Sequence, residues 1–239
     1  MSQPLFCQST LMLTSNKINQ IILLEIDLGG NQMTKVLVIK AHPHVEDSVS
    51  ISVADYFIKK YREFHPDDKI ITHDLYAEEV PPLNDTTMGA WKHQRDGQPL
   101  SDEEQKVITA HNQWLNEFLE ADKYVFVNPM YNFFLPAEMK QYIDIIAVPR
   151  KTFKYTEKGP VGLLENKKAL HIQTAGSVYH GTLLEKFDFG GTYLKLALKL
   201  FGVDDSTDLY IEGVDQFRDR RDTIKEKAMQ DAAKIAEKF

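Results

Sequence analysis

The amino-acid sequence predicts an α/β protein in which a five-stranded, mostly parallel sheet carries helices on both faces as a three-layer sandwich. Two observations lead to this prediction. From residue 34 onward, short apolar runs alternate with longer stretches whose apolar residues recur at helical spacing. Each of the five runs is followed by one such stretch, and this alternation is typical of parallel sheets covered by helices on both sides.

The strands and helices follow one another in a regular order. Strands are predicted at 35–41, 69–75, 123–128, 168–174 and 207–212. Helices are predicted at 48–64, 101–120 and 136–147, in at least the second half of 183–201, and at 214–239. Helix 48–64 places Val49, Val53 and Phe57 on one face. The helix from 101 begins with Ser101 and Glu104 at the spacing of a capping box.

Two segments stand outside this alternation. Residues 76–100 are predicted to be irregular, because Pro81, Pro82 and Gly97 interrupt them, and loops of this length are usually functional or disordered. Residues 1–32 have little periodic pattern and precede Met33, which stands just before the first strand. We therefore expect 1–32 to be an N-terminal extension outside the native fold, and 33–239 to form a single domain. The alternative is a genuine N-terminal arm, and the intact mass of the native protein distinguishes the two.

The composition excludes several classes of protein. The 239 residues are 43% hydrophobic and 26% charged, as in an ordinary globular protein. The net charge of −7 gives no indication of nucleic-acid binding. Arg218, Arg220 and Arg221 form a small basic cluster, which we interpret as a solvated helix start.

The single cysteine, Cys7, rules out an internal disulfide. No apolar run approaches the ~20 residues of a membrane span, and no secretory signal is present, so we expect a cytoplasmic protein without membrane insertion.

The first candidate site lies in the loop after strand one, since ligands of open α/β sheets bind beyond the carboxyl ends of the strands. This loop lacks the glycine patterns that bind dinucleotides and nucleoside triphosphates. It places Ser48 and Ser50 at a helix start, where free N–H groups and the positive helix end suit an anion such as a phosphate monoester. The alternative is that Asp47 or Ser48 is only a helix cap. His42 and His44 are poorly spaced as metal ligands, and no metal site is predicted.

The loops after strands three and four supply the other candidates. The loop after strand three is apolar and aromatic between two prolines, and it offers a stiff backbone edge to a planar ring. Its candidate residues are Pro129, Met130, Tyr131, Asn132, Phe133 and Phe134. The alternative is that Met130, Phe133 and Phe134 are core residues on a tight turn.

The loop after strand four combines small residues with possible proton donors. Thr174, Gly176 and Ser177 let a ligand lie close to the backbone. Tyr179 and His180 follow directly and offer protons. The alternative is a plain glycine turn.

Two longer motifs make the sequence recognisable. The run 129–133, followed by Pro136 and by 140–144, resembles the flavin-ring loop and following helix of the FMN-dependent NADH:quinone oxidoreductase and azoreductase family, in the flavodoxin-like superfamily. Residues 152–160 with Gly162 and Leu163 are similar to a second motif of that family. The resemblance extends from 34 to 213 and implies a flavodoxin-like fold. The first loop, 41–44, is more similar to related NAD(P)H quinone reductases and to flavoprotein partners of potassium-efflux systems. Ser177 stands where azoreductases commonly have glycine, so the electron acceptor stays open.

The resemblance also implies a role for each candidate. Ser48 and Ser50 would bind the FMN phosphate, with His42 beside it. The edge of the isoalloxazine ring would be lined by Pro129, Met130, Tyr131, Asn132 and Phe133. The pyrimidine side would be approached by Thr174, Gly176 and Ser177, with Tyr179 beside it. The substrate pocket would include Phe134 and Tyr155, the latter at a dimer interface, because two subunits build each pocket in this family. Tyr179 or His180 would supply a proton.

The implied reaction moves a hydride from NADH or NADPH to bound FMN and then two electrons to a quinone or azo compound, by a ping-pong mechanism in one pocket. A second interpretation is a flavin-binding regulatory subunit of a transport system, with incidental quinone reductase activity. A third is a one-electron carrier, which the long excursion at 76–100 disfavours, because a carrier needs no cover over its flavin.

Overall fold

The computed structural model describes residues 33–44 and 46–239, and the expectation for residues 1–32 lies outside that range. The strands are β1 Lys35–Lys40, β2 Lys69–Asp74, β3 Lys123–Pro129, β4 Phe153–Thr156, β5 Gly159–Gly162, β6 Lys168–Ala175 and β7 Asp205–Glu212. The helices are α1 Val49–Phe64, α2 Asp85–Arg95, α3 Asp102–Glu120, α4 Ala137–Ile146, α5 Phe189–Phe201 and α6 Arg221–Lys238.

The central sheet confirms the predicted fold class. Its five strands are ordered β2-β1-β3-β6-β7 and all neighbours run parallel. Along the chain, the strand after β1 is added on one side of the sheet, and the next strand of this sheet after β3 is added on the other. The connections that follow these two adjacent strands therefore run on opposite faces of the sheet. A crevice opens at such a point beyond the carboxyl ends of the strands. The loops after β1, β3 and β6 therefore meet at one edge of the sheet.

Two separate cores cover the two faces of the sheet, which gives the three layers. Successive residues of β1 alternate between them because side chains of a strand point to opposite faces. Val36 and Val38 pack with α1 and α6, whereas Leu37 and Ile39 pack with α3, α4 and α5. All four are buried. The described helices include none that is long and apolar enough to cross a membrane.

Two predictions of local structure are wrong, and one element was not predicted. Residues 76–100, predicted to be irregular, contain helix α2. The N-cap Asn84 accepts the N–H of Thr87 and starts this helix, although the apolar face of the helix is small. Residues 153–162 form the antiparallel hairpin β4–β5, which adds two strands to the five predicted. The closing helix begins at Arg221 rather than 214, because Gly213 has a φ of 78° and a turn with a short 3-10 segment precedes the helix.

Candidate functional site

A cavity of about 170 Å³ lies at the point where the strand order reverses. It collects residues from the ends of β1, β3 and β6 and from the starts of α1 and α6. The lining residues are His42, Asp47, Ser48, Val49, Pro129, Met130, Tyr131, Thr174, Ala175, Gly176, Val214, Asp215 and Arg221. Of the predicted site residues, the structure brings His42, Ser48, Pro129, Met130, Tyr131, Thr174 and Gly176 together in this lining.

The start of α1 forms the anion-accepting end of the cavity. Ser48 is the N-cap, and its Oγ accepts the N–H of Ile51 at 3.2 Å. The Oγ of Ser50 lies 3.0 Å from the Oγ of Ser48, and both side chains are buried. When Ser50 donates to Ser48, the hydroxyl of Ser48 keeps its own proton for a ligand. Ser50 does not line the cavity, so it acts on a ligand through Ser48. The first N–H groups of the helix have no intrahelical acceptor and add donors there.

Arg221 adds positive charge to the same end, and the sequence prediction missed it. It belongs to the basic cluster interpreted as a solvated helix start; all three arginines are exposed, and Arg218 and Arg220 lie outside the cavity lining. Arg221 instead lines the cavity, and its Nη2 donates to the backbone oxygen of Asp47 at 3.3 Å. Asp47 and Asp215 line the cavity as well, so Arg221 offsets part of their negative charge.

His42 is a neutral member of the lining. Burial, and secondly the neighbouring His44, lower the pKa of its imidazole below the ordinary histidine value. Its Nδ1 accepts the backbone N–H of His44 at 3.0 Å, so the ring proton is on Nε2. His42 therefore offers a donor rather than a charge near neutral pH.

A strained two-residue turn follows β3. Tyr131 and Phe134 exchange both backbone hydrogen bonds at 2.9 Å, and the central residues Asn132 and Phe133 have φ values of 49° and 67°. Hairpin turns of this kind favour asparagine and glycine, and a phenylalanine with positive φ costs about 1–2 kcal/mol. The N–H groups of Phe189 and Gly190 both donate to the Phe133 carbonyl at 3.1 Å and hold the turn in place.

The side chains of this turn divide between surface and core. Tyr131 is 39% and Phe133 45% exposed, so the core alternative is wrong for Phe133. Phe134 is half-buried, and its ring lies 5.4 Å from that of Tyr193 on the core side. Phe134 does not line the cavity. Burial, and secondly Glu138, raise the pKa of Tyr131, which keeps its phenol protonated at neutral pH.

The loop after β6 closes the opposite side of the cavity. The N–H of Met130 donates to the Thr174 carbonyl at 2.7 Å and joins the two loops. A side chain at Gly176 would meet the Asp215 carboxylate at 2.7 Å, so glycine keeps the backbone accessible here. The ring of Tyr179 lies edge-on to that of Phe133, with 6.2 Å between centroids.

Ser177, Tyr179 and His180 belong to this loop but do not line the cavity. The Nδ1 of His180 lies 2.7 Å from Oε1 of Glu212, and its Nε2 lies 3.4 Å from Oδ2 of Asp188. Both ring nitrogens of His180 thus face carboxylates.

Tyr155 lies away from the cavity within one chain. It projects from the β4–β5 hairpin with 73% of its surface exposed. It lines a second cavity of about 970 Å³, together with Trp91, Arg95 and Arg150. The structure therefore does not bring Tyr155 together with the other predicted site residues.

Comparison with known proteins gives consistent matches across the described fold. A sequence profile of a family described as having a flavodoxin-like fold matches residues 34–236. FMN-dependent NADH:quinone oxidoreductase 2 of Lactiplantibacillus plantarum is 49% identical over 209 residues, which cover 87% of this chain and 100% of that protein. FMN-dependent NADH:quinone oxidoreductase 1 of Lactococcus lactis is 48% identical over 215 residues, with the same coverage.

Solved structures agree with these relatives. The crystal structure of an azoreductase from Bacillus anthracis has a TM-score of 0.81 and 36% identity, and it covers 87% of this chain and 100% of its own. An FMN-dependent NADH-azoreductase of the same species, solved in complex with FMN, has a TM-score of 0.79 and 34% identity, and it covers 85% of this chain and 100% of its own.

Proposed function

The chain belongs to the family of FMN-dependent NADH:quinone oxidoreductases and azoreductases, which have the flavodoxin-like fold, and from this premise we propose that it binds FMN in the cavity at the sheet edge and reduces quinones or azo compounds with NADH. One observation carries the proposal beyond the similarity. An anion-accepting helix start lies in the same cavity lining as Met130 and Tyr131, which lead into the turn after β3.

The residues present fit both ends of FMN. Ser48, the first N–H groups of α1 and the guanidinium of Arg221 suit the phosphate. The turn after β3 suits the polar edge of the ring, because its two bonds join Tyr131 and Phe134 and leave the N–H groups of Asn132 and Phe133 outside the turn's own bonding. The backbone from Thr174 to Ser177 then approaches the pyrimidine side, where Gly176 leaves room.

The protein contributes binding and orientation, whereas FMN when bound supplies two-electron transfer between NADH and the acceptor. NADH and the acceptor use the same open side of the cavity in turn, and we therefore propose ping-pong kinetics. Tyr131 lines this side, and the ring of Tyr179 lies edge-on to that of Phe133 in the turn beside it. We favour Tyr179 over His180 as a proton donor, because both nitrogens of His180 face carboxylates.

The relatives' names support NADH as the donor, and we propose NADH ahead of NADPH. Steady-state assays with each nucleotide and a soluble quinone test the function. Turnover with parallel double-reciprocal lines supports it, and absence of NADH oxidation by FMN-loaded protein contradicts it. Turnover in the purified protein also argues against a purely regulatory role that depends on a partner protein.

We further propose that the active form is a cytoplasmic homodimer. Tyr155 and Val161 on the β4–β5 hairpin and Leu183 before α5 are apolar side chains that one chain leaves exposed, and a second copy would cover them. Light scattering during size-exclusion chromatography tests the oligomeric state, and a monomer at micromolar concentration contradicts it.

The functional domain that we propose is 33–239. The family profile begins at residue 34, and relatives aligned over their full length cover 87% of this chain. A variant that begins at Met33 is expected to bind FMN with unchanged affinity. Loss of FMN binding in that variant would show that residues 1–32 belong to the working protein.

A further inference from the structure

Glu212 ends β7 with a carboxylate that is largely buried, its side chain being 12% exposed. Both carboxylate oxygens are occupied by donors from the loop after β6. The N–H of Tyr179 donates to Oε2 at 3.2 Å, and the N–H of His180 lies 3.1 Å from Oε2 and 3.3 Å from Oε1. The Nδ1 of His180 donates to Oε1 at 2.7 Å. One buried charge thus organises two consecutive backbone N–H groups and one side chain.

His180 extends this arrangement to the start of α5. Its ring stacks on Tyr210 at 3.5 Å between centroids and with 15° between planes. Its Nε2 faces Asp188, which caps α5 by accepting the N–H of Gly191 at 2.9 Å and also accepts from Gln173 at 3.0 Å. The imidazole therefore bridges β7 and the cap of α5.

The loop held in this way borders the cavity. The end of β6 and the first residue of the loop, from Thr174 to Gly176, line the cavity, and the ring of Tyr179 lies edge-on to that of Phe133 in the strained turn. Gln216 accepts the N–H of Val178 at 3.1 Å, so the loop is held at a second point from the same side. We propose that Glu212 is a positioning residue, which holds this loop, and with it Tyr179, at the mouth of the cavity. Its consequence for turnover rests on the proposed function, whereas its effect on the loop does not.

The substitution Glu212→Gln tests this proposal, because it keeps the size of the side chain and removes the charge. An amide offers one accepting oxygen, and its NH₂ group would oppose the N–H donors of the loop. Exchange of the Tyr179 and His180 backbone amides with solvent, followed by NMR at residue level, is expected to accelerate about tenfold or more. In FMN-loaded protein, kcat/KM for NADH is expected to fall by a similar factor of about ten, with FMN affinity changed less than about threefold, since the phosphate end is untouched.

Glu185→Gln is the matched control. Glu185 also accepts an N–H from this loop, that of Gly181 at 3.0 Å, but it is exposed. We expect amide exchange at Tyr179 and His180, and turnover, to stay within about twofold in this variant, because an exposed pair contributes little.

Unchanged amide exchange in Glu212→Gln overturns the proposal. Faster exchange with unchanged kcat/KM overturns the positioning role in turnover. If the unsubstituted protein shows no NADH-dependent turnover, the proposed function fails while the exchange result still decides whether Glu212 holds the loop. Should Glu212→Gln not fold, His180→Ala removes the 2.7 Å bond and keeps the two backbone bonds. Exchange at Tyr179 is then expected to accelerate about threefold, and no acceleration overturns the proposal.

Discussion

Replacing Ser48 with alanine separates a helix-capping role from a ligand-binding role, because Ser101 is a second serine N-cap that lies outside the cavity lining. Ser48 and Ser101 are both N-caps, and each accepts an N–H three residues later at 3.2 Å. Loss of either cap is expected to cost about 1 kcal/mol of unfolding free energy. For a domain of this size that loss corresponds to a fall in Tm of roughly 2–4 °C. Thermal unfolding should therefore shift to lower temperature in both variants, and further in Ser48→Ala, which also removes the partner of the buried Ser50 hydroxyl.

FMN affinity should distinguish the two variants. Ser48 lines the cavity, and a hydrogen bond from its hydroxyl to a phosphate contributes about 1.5–3 kcal/mol. The Kd for FMN, measured by quenching of flavin fluorescence, is expected to rise roughly 10- to 150-fold in Ser48→Ala and to be unchanged in Ser101→Ala. Ser50→Ala should raise Kd less, because Ser50 acts through Ser48. Equal effects of Ser48→Ala and Ser101→Ala on Kd would refute the assignment of the phosphate to this helix start.

Three further predictions follow from the structure. Arg221→Gln is expected to raise the Kd for FMN about tenfold at low salt and much less at 1 M salt, because charge interactions are screened there. Arg218→Gln is the control, since Arg218 lies outside the cavity lining. Equal effects of the two substitutions on Kd would contradict a contact between Arg221 and the phosphate. Gly190→Ala should lower the free energy of unfolding, measured by urea titration, by about 1–3 kcal/mol, because the new Cβ would lie 2.8 Å from the backbone nitrogen of Leu135. Gly89→Ala is the control and should be tolerated, because its Cβ would meet only a carboxylate oxygen of Glu104 at 3.3 Å. Burial lowers the pKa of His111, so this histidine binds a proton more readily in the unfolded chain than in the folded one. The free energy of unfolding should therefore fall as the pH drops below about 6.5, by at most about 1.4 kcal/mol per pH unit. The urea midpoint, measured at two pH values, should drop less in His111→Gln, and an equal drop would assign the effect to other groups.

The positions of the central strands β3 and β6 were predictable from the sequence because each carries a short apolar run, 124–127 in β3 and 169–172, interrupted by His171, in β6. β3 and β6 lie within one or two residues of their predicted bounds. The location of the site followed from topology alone, since consecutive loops of a parallel sheet must meet at its carboxyl edge. That Ser48 and Met130 would lie close together was therefore open to inference once the strands were placed, and both line the cavity.

Elements with weak apolar signals were not predictable in the same way. Helix α2 buries only Thr87 and Ala90, so it lacks the broad apolar stripe that marks a helix. Its capping residue Asn84 and the following Gly97, with a φ of 68°, were the available signals. The β4–β5 hairpin has two four-residue strands that are mostly exposed, and one contains proline.

Arg221 illustrates a different limit. It reaches Asp47, which is 174 residues away in the chain, only because the turn after Gly213 sets where α6 begins. No local sequence pattern predicts the contact between Arg221 and Asp47. In contrast, the positive φ of Phe133 is a feature that sequence preferences oppose, and strain of this kind is frequent at functional sites.

The central claim is that the cavity holds a flavin which passes electrons from NADH to an acceptor. The most direct measurement is the visible absorption of the FMN-loaded protein, with NADH added in the absence of air and a quinone added afterwards. The account predicts flavin bands that bleach on addition of NADH and return on addition of the quinone. A protein that takes up no FMN, or whose flavin bands stay unchanged with NADH, would contradict it.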